Sequence, residues 1–315
     1  MKAAIINRFG EADELHIVEV PKPTINDSQV LIKVVAVGIN PVDTKVRAGT
    51  SGMSKFIKLP AILGWDVSGI VEAVGKKVTG FDIGESVFGC IGFPGPGNGY
   101  AAFAVSDPQL LAKKPYNISF EEAAAVPITG LTAYQAINEY LKISSGQKIL
   151  IQAAAGGVGH LAVQFAKMND AFVIGTASDK NEKFLNSIGV DQFIDYKKEK
   201  FETLVSGLDA VLDSMGGDVL YRSITSVKPG GIVACLPSST KDDPKAIELA
   251  QKHKVKLIWP MMYSDSQQIK TIAEMMEQKK LKIFVDKIFI LDQIAWAHKA
   301  VETHHTKGKV VVKIT

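Results

Sequence analysis

The 315-residue chain is poor in cysteine, holding only Cys90 and Cys235. A disulfide-built secreted scaffold is excluded. Two distant thiols in apolar surroundings read as buried thiols of a reducing compartment, so the expected location is the cytoplasm. Excess charge of one sign is also missing. The formal net charge is +3 with Lys and Arg scattered, so nucleic acid is not an expected partner. The tightest basic run, "YKKEKFE" at 196–202, is diluted by acids and reads as a solvated segment. A membrane span is excluded as well. The uncharged stretch Ile149–Ala166 approaches the ~20 residues a spanning helix needs. Gln152, His160 and Gln164 interrupt it, however, and "GGVG" at 156–159 would break such a helix. The apolar run near the N-terminus is too short for a signal peptide. Internal repeats and low-complexity tracts are absent.

What the chain does contain changes texture part-way. Residues 1–115 hold short β-like runs, "KAAII", "HIVEV", "QVLIKVVAVGI", "VSGIVEAVG" and "ESVFG", separated by turn residues. This predicts an irregular, largely antiparallel body. Residues 119–141 are Ala-rich and helical, with Ser119 as N-cap, Glu121 and Glu122 in the first turn, and a break at Pro127 and Gly130. From Lys148 strand and helix patterns alternate through six β–α steps, which implies a parallel, doubly wound sheet with right-handed crossovers. The last segment mixes strands with one helix and is expected to return to the first domain.

The first of those steps is "KILIQAAAGGVGHLAVQFAK" (148–167): a strand, a glycine-rich turn and a helix. That order is the dinucleotide signature. Read onto G-x-G-x-x-G, it gives Ala154, Gly156 and Gly159, so the first glycine is an alanine. Gly156 would let the backbone approach a diphosphate, and Gly159 would let the helix pack closely on the strand. The alternative is a glycine-rich turn without a ligand. The place of the turn, at the first β–α junction of a doubly wound sheet, favours the dinucleotide.

NAD binders carry an acid near the end of the second strand, where it accepts hydrogen bonds from ribose hydroxyls. Here Thr176, Ala177 and Ser178 stand there, followed by Asp179, Lys180, Asn181 and Lys183. Ser178, Lys180 and Asn181 suit a 2′-phosphate, which hydroxyls, amides and lysines hold. The other reading is a helix N-cap with solvated lysines. NADPH is the expected cofactor.

Nine segments in order resemble one family: "VGINPVDTKVRAG" (37–49), "LGWDVSGIVEAVG" (63–75), "FDIGESVFG" (81–89), "GYAAFAV" (99–105), "AAAVPITGLTAY" (123–134), "AAAGGVG" (153–159), "DAVLDSMGG" (209–217), "KPGGIVAC" (228–235) and "GKVVVKI" (308–314). The chain resembles the zinc-independent medium-chain dehydrogenases/reductases, the quinone oxidoreductase-like and alkenal/enone reductases. The resemblance implies an α/β fold. It would comprise a GroES-like, mostly-β catalytic domain over 1–119, completed by about 284–315, and a Rossmann NADP-binding domain over 120–283. Zinc-dependent relatives set a Cys in the segment that here reads "GINPVD" and a His in the one that here reads "GWD". Asn40 and Trp65 hold those places, and the four-Cys lobe is missing, so no metal is expected.

The resemblance also assigns roles. Gly157 and Val158 would contact phosphate. Ser178, Lys180 and Asn181, joined by Tyr196, would hold the 2′-phosphate. Lys45 would reach cofactor phosphates or the nicotinamide side, and Thr129 the carboxamide. Asn40 and Asp43 would face the nicotinamide and line the substrate pocket. Each has a plainer alternative: a half-buried aromatic for Tyr196, a solvated Lys45, a helix-kink hydroxyl for Thr129, a turn or cap residue for Asp43. Trp65 and Phe93 would form an apolar wall or belong to the core. The implied reaction is hydride transfer from NADPH to a quinone or α,β-unsaturated carbonyl, substrates that need no Lewis acid. A 2-enoyl-thioester reductase and a non-catalytic NADPH-binding protein are the alternatives. A homodimer is expected, through edge pairing of the strand near 255–263.

Overall fold

In a computed structural model describing residues 1–314, the chain divides into two compact units, Met1–Leu131 with Tyr263 onward, and Thr132–Met262. The first unit begins with β1 (Lys2–Ile6), β2 (His16–Glu19), β3 (Val30–Ile39), α1 (Pro41–Arg47), β4 (Ala61–Ile62), β5 (Asp66–Val74), β6 (Ser86–Cys90), β7 (Phe103–Ser106), β8 (Leu111–Lys113) and α2 (Phe120–Ala124). Helix α3 (Pro127–Gln135) contains the boundary. The second unit comprises β9 (Lys148–Ile151), α4 (Gly157–Met168), β10 (Phe172–Ala177), α5 (Glu182–Ser187), β11 (Gln192–Asp195), α6 (Phe201–Leu204), β12 (Leu208–Asp213), α7 (Gly217–Ser226), β13 (Val227–Cys235), α8 (Pro244–His253) and β14 (Lys256–Ile258). The chain then returns to the first unit with α9 (Ser266–Glu277), β15 (Val285–Ile290), α10 (Ile294–Glu302) and β16 (Lys309–Lys313).

A seven-stranded sheet dominates the first unit, in the order β15-β16-β3-β5-β6-β8, with β7 pairing β3. Apart from the parallel β15–β16 pair, its ladders are antiparallel. A small sheet of β2-β1-β4 flanks it. Helix α1 starts at Pro41, whose fixed φ suits the first turn, and ends with Lys45 and Arg47 near its negative pole. Ser119 caps α2 reciprocally: its Oγ accepts from Glu122 N at 3.1 Å, and the Glu122 carboxylate accepts from Ser119 N at 2.8 Å.

The second unit is a six-stranded parallel sheet ordered β11-β10-β9-β12-β13-β14. Its strands read as continuous apolar runs because both faces are covered. Leu150, Ile174, Ile194, Val211 and Val233 pack with Leu220 and Ile224 of α7 and Ala246 and Ala250 of α8. The order reverses at β9, so the crevice outside the carboxyl ends of β9 and β12 is the switch point of the sheet.

The division falls at other residues than the expected 119/120 and 283/284. Helix α2 and the start of α3 belong to the first unit: Ser68 Oγ donates to Phe120 O at 2.6 Å, and Ile128 N donates to Asp66 Oδ1 at 2.9 Å. Helix α9, read from the sequence as the sixth crossover helix, packs on β8 instead. Among the described residues no helix is long and apolar enough to cross a membrane.

Candidate active site

Strand β9 feeds a tight turn. Ala153 takes φ +50°, one residue before the first glycine position of the pattern. Its N–H donates to Thr176 Oγ1 at 3.2 Å, and Ala154 N donates to Thr176 O at 2.9 Å. Ala154 stands where the pattern has glycine. Gly175 on β10 makes the room, since a Cβ there would lie 3.0 Å from Ala154 Cβ. At Gly159 a Cβ would lie 2.3 Å from Ala153 O, so only glycine lets α4 start this close to the strand. The bond from His160 N to Gly156 O, 3.1 Å, is the first to close on the helix. The amides of Gly157, Val158 and Gly159 precede it, and Gly156, Gly157 and Val158 keep part of their surface exposed. These donors at the positive end of a twelve-residue helix fit a diphosphate.

A buried polar chain supports this turn. Thr176 Oγ1 donates to Gln152 Oε1 (2.6 Å), Gln152 Nε2 to Ser223 Oγ (3.3 Å), and Ser223 Oγ to Asp213 Oδ2 (2.9 Å). Asp213 Oδ1 accepts from Met215 N and Gly216 N at 2.8 and 2.7 Å. The chain links the carboxyl ends of β10, β9 and β12 to the start of α7. Sequence reading missed it. Its only trace was polar residues closing apolar strands, Gln152 and Asp213.

At the neighbouring strand ends, Ala177 of β10 pairs Asp195 of β11. That register, with Tyr196 N donating to Ala177 O at 3.2 Å, brings Ser178, Lys180, Asn181 and Tyr196 to neighbouring strand ends. Asn181 Nδ2 donates to the buried Ser178 Oγ at 3.4 Å, while Lys180 and the Tyr196 ring are exposed. Two carboxylates share the area, Asp179 and the unanticipated Asp195. Lys198 Nζ reaches both, at 3.0 and 3.4 Å. Its hydrogen bond holds the Asp179 carboxyl below the ordinary range. Lys198 lies in the run read as solvated; the lysine two residues past Tyr196 was the available signal.

In the first unit the loop after β3 carries a buried cluster. Asn40 caps α1, and its main-chain N donates to Asp43 Oδ2 at 2.7 Å. Asn40 Nδ2 donates to Asp66 Oδ2 at 2.9 Å. Lys309 Nζ donates to Asn40 Oδ1, and to Ile39 O at 2.8 Å. Asn40, Asp43, Asp66 and Lys309 are all buried, exposing 1, 0, 0 and 3% of their surfaces. Burial pushes the Asp43 carboxyl up to about 7 and the Asp66 carboxyl up to about 6, and pushes the Lys309 ammonium down. Lys45 is exposed on α1 and stands outside the cluster. Thr129 donates to Ala125 O at 2.8 Å, which commits its hydrogen to the main chain across the helix break and leaves its oxygen as an acceptor.

The profile described as "Alcohol dehydrogenase GroES-like domain" matches residues 26–116, and that described as "Zinc-binding dehydrogenase" matches residues 188–312. The 2-methylene-furan-3-one reductase of Solanum lycopersicum is 35% identical over 99% of this chain and 79% of its own length. The NADPH-dependent alkenal/one oxidoreductase of Arabidopsis thaliana, named chloroplastic, is 33% identical over the same shares. Among solved structures, the quinone oxidoreductase from Coxiella burnetii superposes with a TM-score of 0.95 at 36% identity, covering 100% of this chain and 99% of that one. The Escherichia coli quinone oxidoreductase complexed with NADPH gives 0.89 at 25% identity, covering all of both chains. The chain belongs to the zinc-independent, quinone oxidoreductase-like medium-chain dehydrogenases/reductases.

In this quinone oxidoreductase-like protein the first unit is the GroES-like domain and the second the Rossmann domain, whose ligand is a nicotinamide dinucleotide. Asn40 brings an amide, not a thiolate, to the place of the zinc-ligating Cys. Trp65, in place of the His, is wholly buried; its indole N–H donates to Gly95 O at 2.6 Å and its ring meets Phe93 edge-on at 5.6 Å. Trp65 is therefore core, with Phe93 half-buried beside it. Among the described residues no three His, Cys, Asp or Glu side chains are grouped to hold a metal ion. Sequence reading missed Asp66 and Lys309. The signals were an acid following "GW" and a lysine opening an otherwise apolar final strand.

Proposed function

We propose that this protein reduces a quinone or an α,β-unsaturated carbonyl with hydride from NADPH, without zinc. One observation carries the reading: the open amides at the start of α4 share the carboxyl edge of one sheet with a phosphate-ready group, Ser178, Lys180, Asn181 and Tyr196. Lys198 pairs with both nearby carboxylates and exposed Lys180 adds a second cation, which supports NADPH over NADH because an uncompensated acid there would repel a 2′-phosphate. NADPH, when bound, supplies the hydride.

The rest falls to the chain. The amides of Gly157, Val158 and Gly159 bind the diphosphate, and Gly156, whose own N–H is held by Ala153 O at 2.9 Å, lets it approach for want of a side chain. Lys45 serves cofactor phosphate or the nicotinamide side, and the Thr129 oxygen accepts from the carboxamide. Asn40 and Asp43 define the nicotinamide-facing loop. As hydride arrives, negative charge grows on the substrate oxygen. Donors from Asn40, Lys45 or main-chain N–H groups receive it, and water or a hydroxyl completes the protonation. Conjugation already polarises such acceptors, so positioning and hydrogen bonding suffice. Free, buried Cys90 and Cys235 support a reducing compartment, the cytoplasm.

The test is NADPH consumption over a panel of quinones, alkenals and enoyl thioesters, with NADH as control. Turnover is expected with quinones or short enones, with kcat/KM favouring NADPH by about tenfold or more. A preference for NADH overturns the cofactor assignment. Tight NADPH binding without turnover on any acceptor overturns the enzyme. Thioesters outrunning quinones and alkenals would move the substrate class.

A further inference from the structure

Lys309 opens the last strand, yet it exposes only 3% of its surface. A buried ammonium is unfavourable unless its donors and charge are matched. Here the match is specific. Nζ donates to Asn40 Oδ1 and, at 2.8 Å, to Ile39 O, and it lies 3.9 Å from Asp66 Oδ2. Asp66 accepts from Asn40 Nδ2 at 2.9 Å and, through its other oxygen, from Ile128 N at 2.9 Å. The Asn40 carboxamide is thus held at both ends, its oxygen by a cation and its nitrogen by an anion. The flipped amide would set NH2 against ammonium and oxygen against carboxylate, so one orientation is enforced. The second hydrogen on Nδ2 has no acceptor among the hydrogen bonds of the described residues. An ammonium on the amide oxygen also draws electron density from the nitrogen and strengthens that remaining donor.

We propose that Lys309 is a positioning residue for hydride transfer: it orients and polarises the Asn40 carboxamide, whose free N–H then meets the negative charge developing on the substrate oxygen. The inference rests on the proposed reaction. Where zinc-dependent relatives place a thiolate on a metal, this chain places an amide backed by a buried ammonium. The ionisable groups facing the trio are Asp43 of α1, Cys90 of β6 and Tyr100; behind Tyr100 lie Arg47 of α1 and His298 of α10, whose Nε2 is 3.1 Å from the Tyr100 hydroxyl. Lys309 opposes the upward push of burial on both Asp43 and Asp66. Removing it sends both carboxyls higher, and a protonated Asp66 holds Asn40 through a weaker, neutral hydrogen bond.

The test compares Lys309→Met, Asn40→Ala and the double variant, each with bound NADPH, and Lys309→Gln where the Met variant does not fold. Lys309→Met is expected to lower kcat about tenfold or more while the NADPH Kd, read by fluorescence, stays within about twofold. The acid limb of its pH–rate profile moves to higher pH. The double variant is no slower than Asn40→Ala alone. In a nitrogen–proton correlation spectrum the Asn40 side-chain amide pair shifts on loss of the ammonium. A folded Lys309→Met with wild-type kcat and pH profile overturns the proposal. So do an additive double variant and an unmoved amide pair. Wild-type protein that turns over no acceptor overturns the proposed reaction, and the role of Lys309 with it. Wild-type turnover with additive losses overturns the role of Lys309 alone.

Discussion

Gly156 and Gly159 do different work, and single methyl groups separate the two roles. A Cβ at Gly159 would lie 2.3 Å from Ala153 O and 2.8 Å from Ala154 Cα, both backbone atoms that cannot yield without moving the turn. Gly159→Ala is expected to cost roughly 1–3 kcal/mol of stability, seen as a lower urea midpoint, and to weaken NADPH binding through the displaced turn. At Gly156 a Cβ would meet only Ala153 O, at 3.2 Å, and φ is −77°. Gly156→Ala should keep stability within about 0.5 kcal/mol. If the diphosphate docks here as proposed, the added methyl group stands in its approach and NADPH Kd should rise about tenfold. Equal loss of stability in both variants would show that neither glycine is reserved for a ligand.

Asp43 offers a second residue-scale check. Burial first, then the nearby Asp66 charge, raises its carboxyl to about 7, far above its ordinary 3.8. The folded state holds this proton more tightly than the unfolded one. Its contribution is therefore full below about pH 4 and is lost as pH rises through about 7. Asp43→Asn keeps an acceptor for Asn40 N but has no proton to lose. Between about pH 5 and pH 8 the variant should gain stability relative to wild type, by urea midpoints at both values. His298, pushed down to about 3 by burial, acts in the opposite sense, losing stability as pH falls from about 6.5 through 3. It is common to both proteins and cancels. A constant difference across the range would contradict a raised Asp43.

Elements are fixed by bonds that sequence spacing does not display. The Thr176–Gln152–Ser223–Asp213 chain spans three strands and a helix whose residues lie far apart in sequence. Ser223→Ala removes a hydroxyl that both accepts and donates, leaving Gln152 Nε2 and Asp213 Oδ2 buried without a partner. The expected cost is roughly 1–3 kcal/mol, with weaker NADPH binding as Thr176 loosens its hold on Ala153. Chemical denaturation and NADPH quenching measure the two effects. Unchanged NADPH affinity beside the stability loss would confine the chain to a structural role.

The contrast explains what was legible. The six strands and the Gly156–Gly159 turn follow from local periodicity and the steric demand of one close approach, and both are readable along the chain. The boundary within α3 is set by Asp66 and Ser68 reaching residues 120 and 128, and α9 is drawn away by β8; such pairings are long-range. Lys309 illustrates the same limit. A lysine opening a strand reads as a solvated end, and only β16 lying beside β3 brings it to Asn40.

For the whole molecule the open question is the free edge of the six-stranded sheet. Strand β11, at one edge, runs into Tyr196-Lys-Lys-Glu-Lys, charges that discourage pairing. Strand β14, at the other, bonds to β13 through Lys256, Leu257 and Ile258, and leads into Trp259, Pro260, Met261 and Met262. Met261 is 59% exposed. An apolar edge of this kind invites a partner, and a second copy offers the same edge in antiparallel orientation about a twofold axis. The expected state is a homodimer joined at β14. Met261→Asp changes an exposed side chain, so the protomer fold should persist while the dimer dissociation constant rises about tenfold or more. Sedimentation at a series of concentrations measures both. Because dimerisation stabilises the folded chain by mass action, wild type should also melt higher as concentration rises, and the variant should not. A wild type that sediments as a monomer at every concentration, with a concentration-independent melting point, would show that β14 stays soluble through its shortness alone.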